Sequence, residues 1–340
     1  MRKFAMLAAA GGIAAAAAMA AQPAAADDYY KGKTLKFVVG FGAGGGYDAY
    51  SRMLATHFEK ELGANVIVEN QPGAGGLRAL NRFQRAPADG LQMTIVNGTG
   101  ASLQQVLAMS GVRFDLTEMK YLGIIDAPRW IVLVKPNSPH STLEDLKKST
   151  GRISWGGSGK ISGTSDGAAF TCHTLKLNCN IVSGYKGSAA VALALAQGEM
   201  DGLYVSETSA FKYVQSKNAK AVATWNRKRS TLFPDLPTVF EQQKLDDKQA
   251  WWVDYRNAVE GVGRVLVAPP ATPKERAATL RAAAHKIMSD PKVVEEFAKK
   301  KRFINYAPAE EAEKMVQTAL KSVTEEQKKE IRKVVLGDEK

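Results

Sequence analysis

Apolar residues in this chain fall into short blocks, each closed by a glycine-rich break and followed by a stretch with helical spacing. Residues 35–39 (Leu-Lys-Phe-Val-Val) read as a strand, and a loop over 40–46 follows it. A helix is predicted over 47–62, with Tyr50, Met53, Leu54 and Phe58 on one face and Gly63 ending it. Residues 66–69 form a second strand, 70–76 a second glycine-rich loop, and 77–84 a second helix. A third strand at 93–96 runs into Asn97-Gly98-Thr99-Gly100. The pattern then restarts. Strands are predicted at 130–134, 153–155, 180–182 and 202–205, with helices at 141–148, 166–177 and 189–197 between them. A last strand at 262–268 precedes amphipathic helices at 274–289, 291–300 and 308–335. Strand–loop–helix repeats of this length imply parallel sheets covered by helices on both faces. Ligands of such sheets bind beyond the carboxyl ends of the strands, where these glycine-rich loops lie.

Composition changes the picture in three ways. The chain has 340 residues, 45% hydrophobic and 24% charged, which suits two globular domains or one large one and excludes disorder as the main state. Two cysteines and four histidines exclude a disulfide scaffold and zinc-ribbon or iron–sulfur sites. The net charge of +12 raises the question of an anionic partner. Its excess lies at residues 127–290, with no basic tail, and the cluster Arg227-Lys228-Arg229 has no aromatic ladder beside it. That distribution argues against nucleic acid and for a small anion drawn to one lobe.

The start of the chain has the layout of a secretory signal: Arg2-Lys3, an Ala-rich apolar run, and Ala24-Ala25-Ala26 as a cleavage site. Export with removal of residues 1–26 is expected, and periplasmic residence with it. The alternative is an N-terminal membrane anchor.

Chemistry is sparse. Gly40-Phe41-Gly42-Ala43-Gly44-Gly45 matches G-x-G-x-x-G after a strand, and Glu69 ends the next strand, as in a dinucleotide site. Export and the recurrence of similar loops weigh against that reading, and no cofactor is expected. Glycines let backbone N–H groups approach a ligand, and helix N-termini favour negative charge. Loops of this kind facing one another would hold a carboxylate without an arginine clamp. His57, His140, His173 and His285 are scattered, and no histidine is placed by spacing to serve Ser158. An exported hydrolase using Ser158 remains as an alternative to a non-catalytic protein. Cys172 and Cys179 flank a plausible helix end at Leu177-Asn178. In an oxidising compartment they are expected to bridge, the alternative being two buried thiols.

Nearly all of the chain beyond residue 26 resembles the extracytoplasmic solute receptors of the tripartite tricarboxylate transporter system, the Bug family. The likeness rests on several segments. They are Gly42-Ala43-Gly44-Gly45-Gly46-Tyr47-Asp48, Val66-Ile67-Val68-Glu69-Asn70-Gln71-Pro72-Gly73-Ala74-Gly75-Gly76 and Ala86-Pro87-Ala88-Asp89-Gly90. Further matches are Gly157-Ser158-Gly159, Gly184-Tyr185-Lys186-Gly187, Arg229-Ser230 through Glu241, and Ala268-Pro269-Pro270-Ala271-Thr272-Pro273.

The resemblance implies an α/β periplasmic binding protein of type II-like fold, with two lobes, a hinge and an inter-lobe ligand cleft. Lobe 1 is expected at 27–127 plus 260–340, and lobe 2 at 128–259. It also implies that Ala43, Gly44, Gly45 and Asp48, with Ser158, Gly159 and Thr164, hold a ligand carboxylate. Gly46, Tyr47, Thr99, Trp155, Ser162, Tyr185, Lys186 and Ser206 complete the expected site. Trp155 is a candidate to cover the ligand's body, or else a core tryptophan. Departures from the family pattern at Gly42, Trp155, Val205 and Trp251-Trp252 fall near the cleft. The implied function is capture of a small organic carboxylate, a di- or tricarboxylate or an aromatic acid, by a monomer that delivers it to integral-membrane transporter subunits. A sensory module docking on a membrane kinase would share the same binding chemistry.

Overall fold

The computed structural model describes residues 28–321 and 323–337. The expected leader at residues 1–26 lies outside the described residues. Strands β1 (Thr34–Val39), β2 (Asn65–Asn70), β3 (Gln92–Asn97) and β4 (Lys120–Asp126) open the chain. The chain then crosses to a second sheet made of β5 (Trp130–Val134), β6 (Ile153–Gly157), β7 (Cys179–Ser183), β8 (Gly202–Ser206) and β9 (Lys220–Thr224). It returns as β10 (Arg264–Ala268). The two sheets have orders β2-β1-β3-β10-β4 and β7-β6-β8-β5-β9. Their topology is the same, and each lobe takes its fourth-position strand from the segment beside a crossover.

Those two strands correct the expectation of purely parallel sheets. β10 runs antiparallel to β3 and β4, and β5 antiparallel to β8 and β9. Each follows a crossover of only a few residues, which brings the chain into the new sheet from the shared edge. An antiparallel strand therefore begins where its parallel neighbours end. Trp130 and Arg264, the first residues of β5 and β10, thus stand at the carboxyl edge of their sheets.

In lobe 1 the helices are α1 (Gly46–Leu62), α2 (Leu77–Phe83) and α3 (Gly98–Val106). Gly63, at φ +62°, stops α1 in the left-handed conformation that favours glycine. Lobe 2 follows with α4 (Leu143–Lys148), α5 (Thr164–Leu175), α6 (Ser188–Ala196) and α7 (Glu207–Gln215). Next come α8 (Val239–Gln242), α9 (Asp247–Glu260), α10 (Lys274–Ser289), α11 (Pro291–Lys299), α12 (Ala309–Lys321) and α13 (Glu325–Leu336). The single helix expected over 308–335 is two, because Thr324 starts α13 with a capping box to Gln327. α12 packs on β4 and α3, whereas α13 packs on α5 of the other lobe.

Each sheet is covered by apolar clusters on its two faces. A fifth cluster joins the lobes at the back, where Leu103, Ile161, Phe170, Trp252 and Ile331 meet. The bridge Cys172–Cys179 spans a Cα–Cα distance of 6.2 Å. Lys176, at φ +57°, ends α5 and turns the chain between the two cysteines.

Candidate ligand-binding site

The lobes touch across their facing edges. The Gly42 N–H donates to the Lys186 carbonyl (2.6 Å), and the Gly75 N–H to that of Ser158 (2.9 Å). Lys212 Nζ reaches the Gly44 carbonyl (3.0 Å), and Gln104 Nε2 that of Ile161 (2.7 Å). Between these contacts lies a cavity of about 40 Å³.

Five helices of nine residues or more begin at its wall: α3, capped by the Asn97 side chain, and four others, α1 behind Gly45, α5 behind Gly163, α6 behind Gly187 and α7 behind Ser206. None of these four N-terminal residues caps its helix with a side chain, because three are glycines and Ser206 is engaged elsewhere. Uncapped first-turn N–H groups and aligned helix dipoles give the cavity positive potential without a titrating group. The loop before α1 reaches its shape through Gly44, at φ +82°.

The lobes contribute different chemistry. The serine and threonine hydroxyls come from lobe 2: Ser158, Ser162, Thr164, Ser188, Ser206 and Ser209. Ser158 Oγ, Ser162 Oγ and Thr164 Oγ1 form a chain, with Thr164 Oγ1 at 3.5 Å and 3.2 Å from the other two. Lobe 1 supplies the stacked rings of Phe41 and Tyr47 (centroids 4.7 Å apart), Asn97, and the cation Arg264. Burial raises the Tyr47 phenol above its ordinary value despite nearby Arg264, so it stays a neutral donor. The ring of Trp130, stacked on Tyr204 at 5.1 Å, closes the side belonging to lobe 2. Among the described residues no acidic side chain lines the cavity.

Behind the loops sit two arginine–carboxylate clamps. Asp48 accepts from the Gly44 N–H (2.9 Å), Arg52 Nε (2.9 Å) and Asn70 Nδ2 (3.0 Å). Burial raises its pKa, but those bonds outweigh burial and hold it below the ordinary carboxylate value. Arg256, fully buried, donates to Asp166 (2.6 Å) and to the Gly163 carbonyl (3.2 Å), and pairs with Glu260 (3.0 Å). Tyr204 donates to Glu260 (2.9 Å). One cation faces two buried acids there. Burial, against the pull of Arg256, pushes Glu260 up to about 8.

A family model described as the tripartite tricarboxylate transporter family receptor matches residues 50–332. The chain belongs to that family. It is a family of receptors, not of enzymes. A curated relative, a UPF0065 protein of Bordetella pertussis, is 27% identical over 273 residues, covering 79% of this chain and 80% of its own. Two solved structures share the two-lobed periplasmic-binding-protein fold. The periplasmic binding protein BugD has a TM-score of 0.76 at 24% identity, covering 90% of this chain and 98% of its own. MatC from Rhodopseudomonas palustris, with bound malate, has a TM-score of 0.72 at 20% identity, covering 89% and 99%.

In this receptor, Gly45, Gly46, Tyr47, Ser158, Ser162, Thr164 and Ser206 come together at the cavity. The other expected contacts stand back from it. Asp48 faces the loop it braces, and Ala43 is exposed. The Gly44 carbonyl receives Lys212 instead of facing a ligand. Gly159 packs under Gly75, and its carbonyl accepts from Ser165 and Ser162. Thr99 spends its hydroxyl on the Val259 carbonyl (3.3 Å). Tyr185 is half-buried against the lobe 2 core, and Lys186 meets the other lobe through its carbonyl, with an exposed side chain.

Trp155 is a core tryptophan and does not cover a ligand. It has no exposed surface and lies against Gly202 inside lobe 2, because its side chain falls on the core face of β6. Trp130 is the tryptophan at the cavity. Also outside the expected set are Phe41, Asn97, Gly163, Gly187, Ser188, Val205 and Ser209, and, in a site expected to lack arginine, Arg264. Its position inside an apolar strand carried no loop signal.

Among the described residues no helix is long and apolar enough to cross a membrane, and no group of three or more His, Cys, Asp or Glu is placed to hold a metal ion.

Proposed function

We propose that this receptor captures a small organic carboxylate between its lobes and, as a monomer in the periplasm, delivers it to the membrane subunits of a tripartite transporter. The observation that carries the reading is the convergence of uncapped helix N-termini on a cavity with hydroxyls and no acidic lining. Carboxylate oxygens accept from such N–H and O–H donors, and the nearby positive helix ends stabilise their charge. Malate in the MatC structure is an acid of this size class. Opening would rotate the lobes about the crossovers after β4 and before β10, with lobe 1 at 27–127 plus 260–340 and lobe 2 at 128–259. Gly263 fits a tight hinge there: at φ +59°, any side chain would collide with the Asp126 carbonyl.

A thermal-shift screen against mono-, di- and tricarboxylates and aromatic acids tests the reading. An acid at a hundred times its Kd adds about 2.7 kcal/mol of stability, whereas its carboxamide adds little. Stabilisation by uncharged compounds alone would overturn it.

A further inference from the structure

The guanidinium of Arg264 is almost wholly buried and forms part of the cavity wall. Its Nη1 donates to both oxygens of Asp126 (2.8 and 2.7 Å), and its Nη2 to Ser206 Oγ of the other lobe (2.9 Å). Tyr50 donates to the same Asp126 (3.2 Å), so the carboxylate that holds Arg264 is itself held. The Nε–H is buried and has no partner. We propose that Arg264 is a specificity-determining residue that reads a second oxygen acceptor on the bound acid. Resting on the carboxylate reading above, this narrows the ligand class to short acids that carry a hydroxyl, carbonyl or second carboxylate besides the anchored one.

Charge and geometry both lead there. Asp126 offsets the charge of Arg264, so the guanidinium is poorly suited to be the main anion anchor. The helix N-termini have no such counter-charge. Nη2 gives one of its two hydrogens to Ser206, and the Nε–H has no protein acceptor, so the guanidinium keeps unmatched N–H donors for an acceptor oxygen. A buried donor left unmatched is costly, so a ligand lacking that oxygen is discriminated against without any steric clash. The Arg264–Ser206 bond joins the lobes, so the reader is assembled from lobe 1 and lobe 2 together.

Titration calorimetry with butyrate, 4-hydroxybutyrate and succinate, and with shorter and longer homologues of each, separates the possibilities. The expected result is that the oxygen-bearing acids bind at least about tenfold more tightly than the alkyl acid of equal length. In the double variant Arg264→Met/Asp126→Asn, which removes both charges together, the ratio should fall towards one. Equal affinities in the wild-type protein, or a ratio that survives in the double variant, would overturn the role of Arg264 while leaving the carboxylate reading intact. If no acid in the series binds while another carboxylate does, this inference fails and the carboxylate reading stands; if no carboxylate binds at all, both fail. Should that variant not fold, Arg264→Lys, which keeps the charge and removes the Nε–H, takes its place: the ratio should again fall, and a ratio that survives would overturn the role.

Discussion

Asp48 and Asp166 occupy the same place in the two lobes: each is the third residue of the helix that follows the first glycine-rich loop. Each is clamped by an arginine, yet the clamps differ in kind. Arg52 is half exposed, lies one turn along the same helix, and shares Asp48 with a backbone N–H and an asparagine. Arg256 is buried, comes from α9 beside the return crossover, and must serve two acids. In lobe 1 the loop is braced locally and in contact with water. In lobe 2 it is tied through the core to the segment that links the lobes. The same loop architecture is therefore cheap to perturb on one side and costly on the other.

The largest effect should come from Arg256→Met, which strands Asp166 and Glu260 in the core. It should cost about 3–5 kcal/mol in a urea melt. A cost below about 1 kcal/mol would remove the contrast between the clamps.

Next is pH. The folded protein pushes Glu260 up to about 8, above an unfolded value of about 4.3. Between those values the folded state keeps a proton that the unfolded chain has released, so this group's contribution to stability falls as pH rises. It is fully present below the unfolded value and gone above the folded one. A loss of about 3 kcal/mol from roughly pH 5 to 8 is expected, and Glu260→Gln should flatten it. Asp48, held below its ordinary value, has the opposite sign: its contribution is present above the unfolded pKa and lost on acidification.

A change on the cavity side should leave stability nearly alone and act on binding. Ser158→Ala removes a hydroxyl from the wall and should weaken carboxylate binding by about ten- to a hundredfold in calorimetry. Unchanged affinity would take Ser158 out of the site. The smallest effect is Arg52→Ala, expected to cost about 0.5 kcal/mol because its ion pair is solvent-screened. A loss as large as that of Arg256→Met would show that the lobe 1 clamp is not local.

Much of this molecule was legible in the residues. Apolar blocks and glycine breaks marked most strands within a residue or two, and the loops at Gly45–Tyr47 and Ser158–Thr164 do meet at the cavity. Besides β9 and helices α7 to α9, which the pattern did not mark, three features were hidden for physical reasons. β4 and the start of α3 carry glycines, at Gly123 and at Gly98 and Gly100, and read locally as loop. Strand direction is a tertiary property, so nothing local says that β5 and β10 run backwards. Hence the cavity roles of Trp130 and Arg264 were missed. Trp155 stayed open between ligand cover and core because neighbouring positions on a strand face opposite ways, and nearness to a loop does not tell which face is buried.

The central claim is that helix N-termini and hydroxyls between the lobes hold the carboxylate. A crystal structure of the receptor with its tightest acid tests it most directly. The expected result places carboxylate oxygens about 3 Å from first-turn N–H groups of α1, α5 or α6 and from Ser158 Oγ. An acid bound outside this cavity, or bound in it with its carboxylate turned away from those donors, would contradict the account.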